Sequence, residues 1–314
     1  MKKVLVLGGT GFVGRHVCEQ LNRLGIRATV PTRRSVNAQS VQMLPLVDVI
    51  EANIHDDATL ARLLPGHDAV INLVAVINGS EKRFEQVHVA LPRRLAGAMQ
   101  VAGVRRLVHI SALGAHADGP SNYQRSKAQG EAVLTAAGLD LTVLRPSVIF
   151  GAGDKFLSLF ARVQAALPMM PLAGADTRFQ PVWVGDVAQT VVRCLQQPDT
   201  VGQTYECVGP QVFSLRELVS LAGRLSGNAR PVLGLPRAIA YFQALFMEML
   251  PGEPLLSTDN LRSMEVDNVA SGQAPTQAAL GVPATALEPV AASYLDLEGK
   301  ADPLLKVRQF AHRR

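Results

Sequence analysis

The sequence opens with a pattern that few folds accommodate. Residues 4–17 (VLVLGGTGFVGRHV) contain an apolar run, a glycine-rich turn and an amphipathic stretch, which together predict a strand, a tight turn and a helix. Gly9, Gly11 and Gly14 fit the spacing G-x-G-x-x-G, whereas Gly8, Gly11 and Gly14 fit G-x-x-G-x-x-G. The start of such a helix presents unpaired N–H groups and its positive end to an anion. We therefore expect a dinucleotide pyrophosphate at this turn.

The same alternation of apolar runs and amphipathic stretches continues to residue 146. Most of the runs are apolar on both faces, which is typical of strands in a parallel sheet covered by helices on both sides. The sequence thus predicts an α/β fold of the Rossmann type, with a doubly wound parallel sheet. The predicted strands are 2–7, 27–31, 46–51, 69–76, 105–110 and 140–146, and the predicted helices are 12–24, 36–44, 57–64, 81–102 and 121–137.

The regular alternation ends after Pro146. Prolines recur between residues 168 and 254 and break this part of the chain into short elements. This pattern predicts a smaller, mixed C-terminal domain that binds the substrate or a partner. We place the cofactor domain at residues 1–150, with later segments returning to it. The smaller domain then covers residues 151–298, and a basic, weakly ordered tail covers 299–314.

Composition and charge argue against several classes of protein. Apolar residues make up 48% and charged residues 18% of the 314 residues, as in a globular protein. The net charge of +5 comes from scattered basic residues without interleaved aromatic residues, so nucleic-acid binding is not expected. Three distant cysteines, Cys18, Cys194 and Cys207, predict buried reduced thiols and no metal site. Because no apolar stretch is long enough for a signal peptide or a transmembrane helix, we expect a cytoplasmic protein.

The end of the second predicted strand bears on the choice of cofactor. In proteins that bind NAD through the G-x-G-x-x-G frame, a carboxylate at this place holds the ribose hydroxyls. Here residues 30–34 read VPTRR, without a carboxylate. The guanidinium groups of Arg33 and Arg34 can instead make charged hydrogen bonds to the 2′-phosphate of NADP(H). The sequence therefore favours NADP(H), while NAD(H) stays an alternative.

A second pattern contains candidate catalytic residues. Within residues 121–131 (SNYQRSKAQGE), Tyr123 and Lys127 stand four positions apart and share one face of the predicted helix. The reference pKa of tyrosine is about 10, and a nearby ammonium group favours the phenolate form. Lysine can also hydrogen-bond the nicotinamide ribose. Ser111, at the end of the fifth predicted strand, completes a candidate site for proton transfer beside a nicotinamide.

With this glycine turn, the Tyr-x-x-x-Lys motif and Ser111, the chain resembles the extended short-chain dehydrogenase/reductase family over about residues 1 to 300. The resemblance implies the G-x-x-G-x-x-G frame. It also implies that Tyr123 is the catalytic acid/base, that Lys127 is its partner and that Ser111 hydrogen-bonds the substrate carbonyl. The cofactor-binding positions that it implies are Gly8, Gly11 and Gly14, the backbone of Thr10, Phe12 and Val13 at the pyrophosphate, Asn53 and Ile54 beside the adenine, Leu73 to Ala75 along the ribose, and Pro146 beside the nicotinamide.

Three further segments resemble an atypical branch of this family. They are LRPSVIFGAGDKFLSLFARV, FQPVWVGDVAQ and LPGEPLLSTDNLRSMEVDNV. That branch includes the nucleotide-binding accessory subunit of respiratory complex I, which binds NADPH and is not known for turnover, and its bacterial relatives. One hypothesis is therefore an NADP(H)-dependent oxidoreductase acting on a small carbonyl, alcohol or sugar-nucleotide-like substrate. The other is an NADPH-binding structural or assembly protein without turnover.

Two histidines and one apolar segment are open to more than one interpretation. His88 stands in HVALP, where active relatives commonly have asparagine, and we interpret it, like His109, as a structural residue. Segment 236–250 is apolar around most of a predicted helix. We interpret it as a lid or core helix over the substrate pocket. The alternative is a weak contact with a membrane surface or a protein partner, which would place the protein peripherally at the inner membrane.

Overall fold

The computed structural model describes residues 1–249, 252 and 254–299. Each apolar run of the first half forms a strand, and the second half adds shorter strands. In chain order the strands are β1 (Lys3–Leu7), β2 (Arg27–Thr32), β3 (Val47–Glu51), β4 (Ala69–Asn72), β5 (Arg106–Ile110), β6 (Asp140–Pro146), β7 (Ile149–Phe150), β8 (Met170–Leu172), β9 (Arg178–Phe179), β10 (Val182–Trp183), β11 (Thr204–Cys207), β12 (Phe213–Ser214) and β13 (Val232–Gly234).

The helices connect these strands and cover both faces of the main sheet. Within the described residues, none of them is long and apolar enough to cross a membrane. In chain order they are α1 (Phe12–Arg23), α2 (Gln39–Gln42), α3 (Asp57–Leu63), α4 (Glu81–Phe84), α5 (Leu91–Ala102), α6 (Asn122–Ala136), α7 (Leu157–Ala166), α8 (Val184–Gln196), α9 (Leu215–Leu225), α10 (Arg237–Met249), α11 (Thr258–Ser263) and α12 (Leu287–Gly299).

The main sheet has the strand order β3-β2-β1-β4-β5-β6-β11, and its pairings are parallel. The chain runs outwards from β1 to β3 and then returns to β4 on the other side of β1, so the order reverses between β1 and β4. One face packs against α1 and α8, and the other against α3, α5 and α6. The predicted α/β fold with a doubly wound, Rossmann-type parallel sheet is confirmed.

Two predicted elements of the first half are shorter than expected. The predicted helix 36–44 is a 3-10 turn, Ser35–Ala38, followed by the single turn α2. The predicted strand 69–76 ends at Asn72. Its neighbour β1 ends at Leu7, which pairs with Asn72, because the glycine turn begins at the next residue. The N–H of Leu73 still donates to the carbonyl of Leu7 at 2.9 Å, and after this last hydrogen bond the chain leaves the sheet.

The predicted helix 81–102 contains a wide π-helical turn, Glu85–Ala90, between α4 and α5. Pro92 has no N–H group to offer the carbonyl of His88, four residues earlier. This carbonyl points towards α6, where a Cβ atom added to Gly130 would lie 2.0 Å from it. The missing hydrogen bond and the close passage over Gly130 explain why the helix widens here.

The second half contains a separate apolar core. Helices α7, α9 and α12 pack around Phe150 and Tyr294, and the short strands pair as β7 with β10, β8 with β13 and β9 with β12. Ser214 caps α9 by accepting a hydrogen bond from the N–H of Glu217, whose carboxylate accepts from the N–H of Ser214. The three cysteines are buried free thiols, as predicted. Residues 300–314 of the predicted tail lie outside the described residues, and the predicted domain boundary at residue 150 stays a prediction.

Helix α10 differs from the core helix expected for segment 236–250. Only Ala240 and Ala244 of this helix are buried, whereas Phe242, Phe246 and Met249 are among its exposed side chains. The core-helix alternative is therefore wrong, because an apolar sequence does not determine which face of a helix is covered, and the lid alternative stays a prediction. Leu250 lies outside the described residues.

The contact between the glycine turn and α1 predicts opposite effects of alanine at two helical glycines. A Cβ atom at Gly14 would lie 2.3 Å from the carbonyl oxygen of Gly8 and 2.6 Å from the Cα atom of Gly9, whereas nothing lies within 4 Å at Gly97. We expect Gly14→Ala to lower the free energy of unfolding by about 3 kcal/mol, because backbone atoms must shift. The control Gly97→Ala should raise it by about 0.5–1 kcal/mol through helix propensity. Urea denaturation measures both, and equal stability of the two variants would contradict the tight contact.

Candidate functional site

The glycine turn forms a cradle of backbone atoms at the carboxyl edge of β1. Gly8 has a φ of +80°, which only glycine adopts readily, and the N–H of Gly11 donates to its carbonyl at 3.0 Å. Helix α1 has no side-chain cap and no acidic residue in its first turn. Its first N–H groups are therefore available to an anion. A side chain at Gly14 would collide with the backbone of the cradle, and a Cβ atom at Gly8 would lie only 3.2 Å from the backbone of Leu73, just after β4. A dinucleotide pyrophosphate fits this arrangement.

The other predicted cofactor positions follow the carboxyl ends of neighbouring strands. Asn53 and Ile54 follow β3, residues 73–75 follow β4, and Pro146 ends β6, where it pairs with Cys207. These positions lie on both sides of the reversal between β1 and β4. In open parallel sheets this is the place where a crevice for a ligand forms.

Arginine side chains gather at the end of β2. Arg33 and Arg34 follow this strand directly and are exposed. Burial, and after it the positive charges of Arg83, Arg33 and Arg94, lower the pKa of His55, which follows the predicted adenine-binding segment. Arg83 and Arg94 come from the α4–α5 region, so sequence spacing gave no signal of their approach. The resulting surplus of positive charge suits a phosphate.

Lys127 is a buried cation in the middle of the site. It is 2% exposed, and its ammonium group donates to the carbonyl oxygen of Ile110 at 2.8 Å. Burial lowers the pKa of Lys127 to about 8, against the opposing effect of Glu131. Among the described residues, the carbonyl of Ile110 is the one acceptor that this ammonium reaches. The lysine thus retains donors for a ligand.

Tyr123 lies one turn before Lys127 on α6. Burial raises the pKa of Tyr123 to about 12, opposite to the lowering expected from a nearby ammonium group, so its hydroxyl is protonated at neutral pH. Its ring makes edge contacts with the rings of Phe84 and His88, at centroid distances of 6.1 and 5.6 Å. The carboxylate of Asp259 on α11 accepts from the N–H groups of Asn122 and Tyr123 at 2.7 and 3.0 Å. The start of α6 is thereby held by the aromatic contacts of Tyr123 and by the carboxylate of Asp259.

Ser111 follows β5 and is 4% exposed. Its backbone N–H donates to the carbonyl of Leu144, but its Oγ atom has no hydrogen-bond partner within the described residues. A buried hydroxyl without a partner costs free energy, which a ligand can recover by hydrogen-bonding it. Because Lys127 binds the carbonyl of the residue before Ser111, the structure brings these two predicted site residues together.

His88 joins two parts of the site in a way that sequence analysis missed. Its Nε2 atom accepts from the N–H of Val76 at 3.1 Å, so the proton lies on Nδ1, which donates to the Oγ atom of Ser126 at 2.9 Å. Ser126 in turn donates to the carbonyl of Tyr123 at 2.9 Å. Burial, and then the charge of Lys127, lower the pKa of His88 to about 3. This neutral imidazole links the segment after β4 to the helix that contains Tyr123.

His109 is the second buried histidine next to Lys127. The side-chain amide of Asn72 donates to its Nδ1 atom at 3.2 Å. Burial, and then the charges of Lys127 and His88, hold the pKa of His109 well below its usual value. Both histidines are thus buried and hydrogen-bonded, as expected for structural residues, and both are neutral beside the buried cation.

Comparisons with known proteins agree with this geometry. Residues 4–207 match the NAD dependent epimerase/dehydratase family. The chain is 32% identical over 292 residues to mouse mitochondrial NADH dehydrogenase (ubiquinone) 1 alpha subcomplex subunit 9, covering 90% of this chain and 77% of that protein. It is 31% identical over 197 residues to ceramide reductase of Caulobacter vibrioides, covering 62% of this chain and 61% of that protein.

Among solved structures, UDP-glucose 4-epimerase of Thermus thermophilus in complex with NAD has a TM-score of 0.71. The match covers 96% of this chain and 100% of that chain at 21% identity, so it supports the fold. The protein belongs to the NAD dependent epimerase/dehydratase family. The resemblance to extended short-chain dehydrogenases/reductases, and to the branch with the complex I subunit, is confirmed.

The buried state of His88 predicts a specific loss of stability in acid. Because the folded pKa of about 3 lies below the ordinary 6.5, the unfolded chain binds the proton first as the pH falls. The contribution of the neutral His88 to the free energy of unfolding is therefore fully present above pH 6.5, and it decreases as the pH falls below this value. From pH 7.5 to pH 5 the wild type should lose about 2 kcal/mol more than His88→Asn, which has no titrating group at this position. Urea denaturation at both pH values measures this, and equal losses would show that the imidazole is protonated in the folded protein.

Proposed function

We propose that this protein is an NADPH-dependent oxidoreductase that reduces a carbonyl group, with Tyr123, Lys127 and Ser111 as its catalytic residues. The observation that carries the proposal is that a hydroxyl without a partner and an ammonium group with unused donors lie together in one buried place. Lys127 retains ammonium donors, and the Oγ atom of Ser111 has no partner within the described residues. Both lie at the carboxyl edge of β5, which is separated by β4 from the reversal of strand order.

NADPH, when bound, supplies a hydride to the carbonyl carbon. The hydroxyl of Ser111 donates a hydrogen bond to the carbonyl oxygen and thereby orients the substrate. Tyr123 holds its proton at neutral pH, because burial raises its pKa, and it gives this proton to the oxygen as negative charge develops there. Lys127 binds the ribose hydroxyls next to the nicotinamide and stabilises the phenolate that remains. Phe84 and His88 hold the tyrosine ring in place.

The arginines at the end of β2 support NADPH as the cofactor. Arg33 and Arg34 stand where a carboxylate would bind the ribose hydroxyls of NAD, and Arg83 and Arg94 add positive charge to that of Arg33 near His55. A 2′-phosphate offers these guanidinium groups the bidentate geometry that they prefer. The adenosine ribose of NADH carries only hydroxyl groups at this place and offers these arginines no charged partner there.

The ceramide reductase among the relatives supports a carbonyl or alcohol substrate class for this chain. A second candidate function rests on the similarity to subunit 9 of the mitochondrial NADH dehydrogenase, which covers most of this chain. In that case the protein binds NADPH and a protein partner, and it has no turnover. Both functions need the cofactor, so reaction of the bound cofactor distinguishes them.

Removal of the two arginines should abolish the preference for NADPH. Hydrogen bonds to charged groups contribute about 1.5–3 kcal/mol, so we expect NADPH to bind roughly tenfold or more tightly than NADH. Arg33→Ala/Arg34→Ala should bind both cofactors alike. The control Arg23→Ala removes an exposed arginine at the other end of α1 and should keep the preference. Isothermal titration calorimetry measures the dissociation constants, and equal constants in the wild type would exclude this role of the arginines.

Removal of the tyrosine hydroxyl should separate turnover from binding. Tyr123→Phe keeps the ring contacts and leaves Lys127 in place, so NADPH should stabilise it within about 1 kcal/mol of the wild type. Its turnover should fall by about 10² to 10⁴-fold, because proton transfer by a positioned group contributes that much. Lys127→Ala should reduce both binding and turnover.

Thermal shift with NADPH measures binding, and single-turnover loss of nicotinamide absorbance with a panel of short-chain and long-chain ketones and aldehydes measures reaction. Undiminished turnover in Tyr123→Phe would remove the tyrosine from the mechanism. A wild type that binds NADPH but reacts with no carbonyl in the panel would favour the non-catalytic function.

A further inference from the structure

Helix α10 presents its largest apolar side chains to the outside. Ile239, Phe242, Phe246 and Met249 are 54%, 71%, 64% and 84% exposed. They recur at intervals of three, four and three residues, so they form one stripe along the helix, which we call the outer stripe. The buried residues of the helix are alanines. This arrangement is the reverse of an ordinary surface helix, whose large apolar side chains face the core.

The charged residues of α10 do not lie on the outer stripe. Arg237, the first residue of the helix, forms an ion pair with Glu265. The carboxylate of Glu248 accepts from the N–H and the hydroxyl of Thr258 on α11, at 2.8 and 3.0 Å. Both charges are thus paired with the protein beside the helix. The outer stripe itself consists of aliphatic, aromatic and thioether groups.

The inner side of α10 covers a cavity of about 490 Å³. Ala240 and Tyr241 from α10 line this cavity together with Thr258 and Leu261 from α11. Asp259, between these two α11 residues, binds the N–H groups at the start of α6, which contains Tyr123. Helix α10 therefore lies over a cavity whose other wall, α11, also contacts the start of α6, while the opposite face of α10 points away from the protein.

We propose that α10 docks this protein on the surface of an anionic lipid bilayer, with the outer stripe inserted between the headgroups. The four side chains of the stripe expose on the order of 500 Å², taking about 200 Å² for each whole side chain. A standard stable protein interface buries about 800 Å² on each partner, so the stripe is too small for a stable dimer. A single projecting helix face with phenylalanine and methionine is well suited to the interfacial layer, about 5–10 Å deep.

The charges around the helix are consistent with anionic headgroups. Arg262 on α11 lines the cavity beside α10 and is exposed, so its guanidinium group is accessible to a headgroup phosphate. The net charge of +5 adds a long-range attraction to an anionic surface. Docking needs neither cofactor nor substrate, so it can be tested independently of the proposed catalytic function.

The test is flotation of the full chain with vesicles of phosphatidylethanolamine and phosphatidylglycerol. The wild type should float with the vesicles, and Phe242→Ser/Phe246→Ser should partition at least tenfold less. Because these side chains are exposed, the melting temperature of this variant should not fall. The control Met43→Ser/Val101→Ser removes two other exposed apolar side chains, 88% and 89% exposed and distant from α10 in sequence, and should float like the wild type.

A second measurement reports contact directly. The chain contains one tryptophan, Trp183, so Phe242→Trp adds a single new fluorophore on the outer stripe. Its emission should shift to the blue when these vesicles are added, because the indole leaves water. An unshifted emission, a wild type that does not float, or equal flotation of the wild type and the double serine variant would overturn the proposal. Sedimentation of a wild-type dimer that the double serine variant loses would also overturn it and would assign the stripe to a second copy of the chain.

Discussion

The close backbone contact between β1 and α1 is the constraint on which the rest of the structure depends. Gly14 in the first turn of α1 packs directly on the backbone of Gly8 and Gly9, at distances that leave no room for a Cβ atom. The start of α1 is thereby brought to the carboxyl edge of the central strand. Since the strand order reverses beside β1, segments from both halves of the sheet meet at this edge. A crevice with open helix N–H groups is the consequence.

A buried cation is the second feature that organises the site. Lys127 is nearly inaccessible to water, and burial of a charge costs free energy unless partners compensate for it. The neighbouring histidines, His88 and His109, are held neutral, in part by this charge. In place of the asparagine common in active relatives, His88 supplies one neutral acceptor and one neutral donor. The site thus has an imidazole at this position, and both of its ring nitrogens are hydrogen-bonded within the protein.

The fold could be predicted from the sequence because strands that are apolar on both faces leave few arrangements open. The six strands of the first half were found in this way, and the glycine spacing located the turn that follows β1. The ends of elements were harder to predict, because they depend on neighbours. The strand that stops at Asn72 does so because β1 stops at Leu7. The π-helical turn depends both on Pro92 and on the lack of a side chain at Gly130 in another helix.

The candidate site was predictable only in part, for a similar reason. Tyr123, Lys127 and Ser111 belong to a motif or follow a strand, so spacing indicates them. The link from Val76 through His88 to Ser126 joins three separate segments, and no periodicity reveals such a link. The exposure of α10 also could not be predicted from the sequence, because a helix that is apolar on nearly all sides does not show which face is covered.

The most direct test of the central claim is a crystal structure of the protein with NADPH. The claim predicts that the pyrophosphate binds at the start of α1 and that the 2′-phosphate contacts Arg33 and Arg34. It also predicts that the ammonium group of Lys127 donates to the nicotinamide ribose, and that the hydroxyls of Tyr123 and Ser111 point to one place beside the nicotinamide ring. A cofactor whose nicotinamide lies away from Tyr123, or whose ribose makes no contact with Lys127, would contradict it.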